Sequence, residues 1–163
     1  LDKFKRKDVA PDSKLQHELG EAILLFHTGD TRKAQMLFRT VLAGDAENLG
    51  ALFHLGAIYV HEKKYKRARP VLDQASSLLK RKNLIVETYL ASSELQTGAL
   101  DSAESRLEDV LSEHPEMTFA KYNFALLRRK QDRLEEARSI MKAVSQSSPG
   151  FLPAKKALAA MKQ

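Results

Sequence analysis

The sequence has no cysteine and no tryptophan, only seven glycines and five prolines, and no apolar run long enough to cross a bilayer. Without cysteine there is no disulfide, no thiolate nucleophile and no cysteine-ligated zinc, and the chain suits a reducing cytoplasm as well as a bacterial periplasm, so the compartment stays open. A run such as Ala22 to Phe26 is far shorter than the roughly 20 residues a spanning helix needs. Also missing are an HExxH motif, a glycine-rich phosphate loop and any nucleophile, base and orienter at usable spacing. Catalysis therefore has no residues to rest on, and no cofactor is expected. Leu1 stands where a methionine would begin a chain, so the N-terminus reads as cut or processed, and a signal or anchor upstream would be invisible.

What is present bounds the class. The 163 residues, 43% hydrophobic and 29% charged, are enough for one ordinary soluble domain. A net charge of +6 favours acidic partners in general: an acidic peptide, nucleic acid or an anionic membrane surface.

The organising fact is an internal repeat. Small residues recur as Ala22, Gly56, Ala91 and Ala125, and a second series recurs as Ala34, Ala68, Ala103 and Ala137, at steps of about 34 residues. Four places after each member of the second series comes Phe38, Leu72, Leu107 or Met141, and three places later Val41, Ala75, Val110 or Val144. That is helical spacing. Between the two series lie polar breaks at Thr28-Gly29-Asp30, Glu62-Lys63-Lys64, Thr97-Gly98 and Gln131-Asp132-Arg133. Each unit reads as helix, turn, helix. Gly29 and Gly98 suit left-handed helix ends, Asp101 with Glu104 reads as a cap opening a helix, and Pro115 and Pro149 close units. Two paired helices approach closely only where no large side chain intervenes, which gives the small residues their place at the crossings. An ordinary bundle has no reason to keep both series in register through four units.

These residues resemble the tetratricopeptide repeat family, whose pattern is W-x2-L-G-x2-Y, then A-x3-F, then P. The second unit matches best, with Leu52, Leu55, Gly56, Tyr59, Ala68 and Leu72, but carries Lys80 in place of the proline. The third and fourth units keep Pro115 and Pro149 but place Glu94 and Arg128 where the first-helix aromatic belongs. The first unit is weakest, with Glu18 and Glu21 where apolar residues are usual. The expected fold is all-α: a right-handed α-α superhelix of four helix pairs, at about 15–48, 49–82, 84–117 and 118–151, plus a capping helix over 152–163. In that helix Lys155 and Lys162 stand where the second unit has Leu52 and Tyr59, giving the terminal repeat a wettable face. Residues 1–11, with Lys3, Lys5, Arg6 and Lys7, read as a basic tail or linker.

The resemblance implies that the first helices line a concave groove that holds another protein. Carried over residue by residue, the groove comprises Leu19, Ile23, Phe53, His54, Ala57, His61, Tyr89, Ser92, Gln96, Tyr122, Asn123, Leu126, Arg129 and Lys130. Phe26 and Phe119 share that face but read as packing between neighbouring helices, whereas Phe53 and Tyr122 read as exposed anchors of the kind peptide binding uses. Co-chaperone members grip a C-terminal carboxylate with lysine, asparagine and arginine at set places. Here those places hold Leu19, Ile23, His54, Ile85 and Tyr89 or, one unit later, Phe53, Ala57, Tyr89, Phe119 and Asn123, where only Asn123 conforms. That clamp is missing, so a partner offering apolar side chains or an amphipathic helix is expected.

His54 and His61 share a helix face, but seven residues of helix span about 10 Å, too far for one ion, and no metal site is expected. Basic residues gather around the turns inside units. Those at helix ends complement the dipole, but Lys66, Arg67 and Arg69 open a helix, where cations are disfavoured, and form a candidate anion-binding basic edge. The leading expectation is therefore a non-catalytic interaction scaffold within a larger bacterial assembly, holding a peptide or helix of a partner that is apolar or amphipathic, with an acidic one as an option. Nucleic-acid binding along the basic edge and homo-oligomeric self-assembly are the alternatives.

Overall fold

The computed structural model describes residues 13–161, so the basic tail expected over 1–11, together with Lys162 and Gln163, lies outside the described residues. Nine α-helices and no strand occur among the described residues. They are α1 (Ser13–Thr28), α2 (Thr31–Gly44), α3 (Leu49–His61), α4 (Tyr65–Leu78), α5 (Leu84–Thr97), α6 (Leu100–Glu113), α7 (Thr118–Lys130), α8 (Leu134–Ser147) and α9 (Leu152–Ala160). Each packs on the next, and α1 also touches α3, α3 touches α5 and α5 touches α7. The first helices thus form a continuous inner layer and the second helices an outer one, which is the all-α helical-repeat superhelix the repeat pattern calls for.

Burial differs between the layers for a reason visible in the sequence. An outer helix covers one flank only, so it buries a single stripe spaced i, i+4, i+7. The stripes are Ala34, Phe38 and Val41 in α2, Ala68, Leu72 and Ala75 in α4, Ala103, Leu107 and Val110 in α6, and Ala137, Met141 and Val144 in α8. Inner helices are covered by neighbours on several sides. Accordingly α5 buries nine residues, polar Glu87, Thr88, Ser92, Ser93 and Glu94 among them. The small residues mark the crossings: a Cβ added to Gly56 would sit 2.5 Å from Leu72 Cδ2 and 2.6 Å from Leu72 Cγ.

The turns inside units share one backbone device. Gly29 (φ 91°), Lys63 (φ 58°), Gly98 (φ 90°) and Asp132 (φ 60°) all adopt the left-handed conformation that ends the inner helix. Glycine takes it freely in two units, whereas Lys63 and Asp132 hold it against a steric cost. The cap read at Asp101 and Glu104 is not there. The cap falls two residues earlier, at Ala99, which offers no side-chain hydrogen bond, and Glu104 instead accepts from Arg128 and Gln131 of the following unit. Asp30 does cap α2, accepting from the Lys33 amide at 3.2 Å. Pro115 and Pro149 fall just after α6 and α8, but Pro70 lies inside α4.

Glu94 and Arg128, the two departures from the aromatic of the repeat, are both buried and both paired. The carboxylate of Glu94 accepts from Arg106 Nε and Nη2 at 3.1 Å each, and Arg106 also pairs with buried Glu87, which accepts a 2.6 Å hydrogen bond from Ser76. Arg128, which stands where the first-helix aromatic of the fourth unit belongs, is 6% exposed. It pairs with Glu104, Glu108 and Glu136 and lies 4.2 Å from the Phe124 ring centroid. In the second unit Tyr59 fills this place and its hydroxyl accepts from Arg39 at 2.8 Å. Units three and four have replaced a phenol by charges that are stable inside only because each has opposite charge around it.

At the ends of the stack, Glu21 and Lys155 are exposed while Glu18 is largely covered. Ala159, 34 residues after Ala125, is exposed, and among the described residues no outer helix packs on it.

Candidate functional site

A broad concavity of about 870 Å³ lies on the inner layer between the C-terminal half of α3 and the helices α5, α7 and α9. Of the residues read as the groove, it takes in His61, Tyr89, Ser92, Gln96, Tyr122, Asn123, Leu126 and Arg129. It leaves out Leu19 and Ile23, which pack on the core between α1 and α3, Ala57, which is 2% exposed, and Lys130. Ser92 and Asn123 are themselves 6% and 1% exposed, so they form floor and not rim. Asn123 Nδ2 has no hydrogen-bond partner among the described residues.

Aromatic rings run along this face in a chain of edge and tilted contacts. Phe26 meets His54 at 5.4 Å between centroids, His54 meets Phe53 at 5.2 Å, Phe53 meets Tyr89 at 5.9 Å, and Tyr89 meets Phe119 at 5.2 Å. His54 lies outside the cavity. It stacks on buried Phe38 at 5.3 Å, and its Nδ1 is 2.8 Å from the Gly50 carbonyl, so it is a packing histidine. Phe53 also lies outside and instead lines a small apolar pocket of about 240 Å³ with Leu49, Leu79, Ile85 and Val86. Exposed Ile85 borders both cavities. Phe119, read as packing, lines the main cavity while it packs.

The far wall was not legible in the repeat pattern. Phe151 and Pro153, from the start of the terminal helix, close the cavity opposite Tyr89, and Phe151 meets Tyr122 at 5.3 Å. Burial raises the Tyr89 phenol above its ordinary value of 10.0. Burial raises that of Tyr122 too, with the Arg129 charge acting the other way. Both phenols are neutral at physiological pH and able to donate. The Tyr89 hydroxyl lies 3.2 Å from His61 Nε2.

The basic edge is not a separate site. Lys66 and Arg67 line a shallow depression with Lys63, Lys64, Tyr65, Gln96 and Thr97, and three of these, Lys63, Tyr65 and Gln96, also line the main cavity. Arg69 is turned along α4 toward Asp73, 3.8 Å away. No cluster of three metal-ligating side chains and no helix long and apolar enough to cross a membrane occurs among the described residues.

Comparison with known proteins places the architecture. The model of the tetratricopeptide repeat family matches residues 25–80 and 94–161. Cellulose synthase operon protein C of Xanthomonas axonopodis pv. citri (strain 306) is 30% identical over 122 residues, which cover 69% of this chain but 8% of that protein. Among solved structures, MamA from Desulfovibrio magneticus RS-1 superposes with a TM-score of 0.72 at 17% identity, over 92% of this chain and 84% of that one. YrrB, described as a TPR protein with an unusual peptide-binding site, superposes with a TM-score of 0.65 at 21% identity, over 88% of this chain and 74% of that one.

Proposed function

The chain belongs to the tetratricopeptide repeat family, a family of non-catalytic protein-interaction scaffolds, and from that premise we propose that its concave face holds a peptide or helix of a partner protein within a larger bacterial assembly. One observation carries this reading: a concavity of about 870 Å³ lies on the inner layer, and its lining includes Tyr89, Phe119, Tyr122, Leu126 and Phe151. Aromatic anchors around a few polar groups are what peptide recognition uses, and the buried, unpartnered amide of Asn123 on the floor is a donor suited to a main-chain carbonyl. The assembly context rests on the bacterial relative, of whose length this repeat segment matches only a small part.

The test is selection of binding peptides from a displayed random library on the wild-type chain, counter-screened on Phe119→Ala/Tyr122→Ala. Peptides retained by the wild type and lost by the double variant support the reading. Peptides that bind both equally place the site elsewhere.

A further inference from the structure

Three depressions meet at Lys63. The main cavity, the depression of Lys66 and Arg67, and a third of about 570 Å³ that holds Tyr122, Arg129, Leu152 and Lys156 all include it. No aspartate or glutamate lines any of the three. Elsewhere on the surface Lys33, Lys82, Arg133 and Arg138 each face a carboxylate. Glu62, next to Lys63 in sequence, is taken by Lys64 at 2.8 Å, while Lys63 and Arg129 form no ion pair among the described residues. A region with cations on every side and no acid of its own raises the local concentration of anionic groups.

A second observation is independent of charge. Lys63 occupies the left-handed turn position that two other units give to glycine, and lysine there stands against its steric preference. Strain of this kind persists where the surroundings require the residue, and what Lys63 supplies that glycine cannot is an ammonium at the junction of the three depressions.

We propose that the occupant of the groove is an acidic amphipathic segment of a protein partner. Its aspartate or glutamate side chains lie over Lys63, toward Arg129 and Lys156 in one direction and Lys66 and Arg67 in the other, while its apolar side chains fill the aromatic cavity. The inference rests on the groove being the binding face and adds the chemistry of what binds. The aliphatic lining, Val60, Ile85, Met117 and Leu126, favours a peptide over a nucleic acid, which has no aliphatic side chains to place there.

The experiment is a set of amide-shift titrations of the isotope-labelled chain. Its probes are three synthetic peptides, acetylated and amidated at their ends, with one leucine and phenylalanine pattern and with glutamate, glutamine or lysine at the polar places. A short oligothymidylate is the fourth probe. The glutamate peptide is expected to shift amides of α5, α7 and the α3–α4 turn and to bind about tenfold or more tightly than the glutamine peptide. That advantage shrinks as salt is raised and in Lys63→Ala/Arg129→Ala. Equal binding of the glutamate and glutamine peptides at the groove overturns the inference and leaves the groove reading standing. No groove shifts with any peptide overturns both. Oligothymidylate binding more tightly than the glutamate peptide through the same cations overturns the inference in favour of nucleic acid.

Discussion

Replacing Lys63 by glycine should move stability and binding in opposite directions, which few surface substitutions do. Lys63 sits at φ 58° in the turn between α3 and α4, with its amide bonded to the Val60 carbonyl at 3.0 Å and the next amide bonded to the Tyr59 carbonyl at 2.7 Å. Glycine keeps both backbone bonds, and no ion pair of Lys63 is lost. A non-glycine residue in the left-handed region costs about 1–2 kcal/mol. Glycine gives back roughly 0.5–1 kcal/mol of that through its greater freedom in the unfolded chain. The net gain is about 0.5–1 kcal/mol, which for a chain of this size is a rise of roughly 1–4 °C in Tm. Thermal melts followed by circular dichroism read the stability, and the glutamate-peptide titration reads the binding. Lys63→Ala removes the ammonium but keeps the strain, so it should lose affinity with no gain in Tm. A lower Tm for Lys63→Gly than for the wild type would refute the strain argument. Unchanged affinity in both variants would refute the role of the charge.

Gly56→Ala should destabilise by about 1 kcal/mol or more despite alanine's better helix propensity, because the new methyl meets the Leu72 branch point. The combination with Leu72→Ala should cost less than the two alone added, as a double-mutant cycle in urea would measure. Arg106→Met leaves Glu87 (3% exposed) and Glu94 (2% exposed) buried without their counter-charge and should cost about 3–5 kcal/mol in urea unfolding near neutral pH. Hydrogen bonds from Arg128 and then Gln131 hold the Glu104 carboxyl below its ordinary 4.5. A depressed folded value means stability that is complete above about pH 4.5 and is lost as pH falls through the lower folded value, so Glu104→Gln should flatten that acid limb of the stability profile.

The repeat was legible because close helix crossings demand small residues at a fixed period and outer helices bury a single stripe. Ala34, Phe38 and Val41, with their counterparts in the other units, announce both at once. The inner face was harder to read, since an inner helix such as α5 is buried on several sides and periodicity no longer separates rim from floor. That is why Ala57 and Asn123 share a helix face with open residues yet are covered, and why His54 proved to be stacked on Phe38. Glu94 and Arg128 stood out as departures from the family pattern, but their pairing with Arg106 and Glu104 depends on contacts across helices that spacing does not fix. Phe151 and Pro153 were missed for the same reason: only the path of the chain after α8 brings them over Tyr122. The continuity of the basic edge with the groove comes from the turn geometry at Lys63, and the run of lysines carries no sign of it.

Protein binding at the inner aromatic face, as proposed, separates from mere packing of its rings by one comparison of affinity with stability. The most direct measurement is calorimetric affinity for a library-selected peptide in Phe119→Ala/Tyr122→Ala, beside the melting temperatures of that variant and of Leu72→Ala. Leu72 is fully buried, so its truncation should cost about 2–5 kcal/mol of stability. The double groove variant should lose only a few degrees, chiefly from the Tyr122 contact to Phe151, while its affinity falls by about 2 kcal/mol or more, some thirtyfold. Undiminished affinity, or a melting point that collapses as far as that of Leu72→Ala, would contradict the claim and return these aromatics to the core.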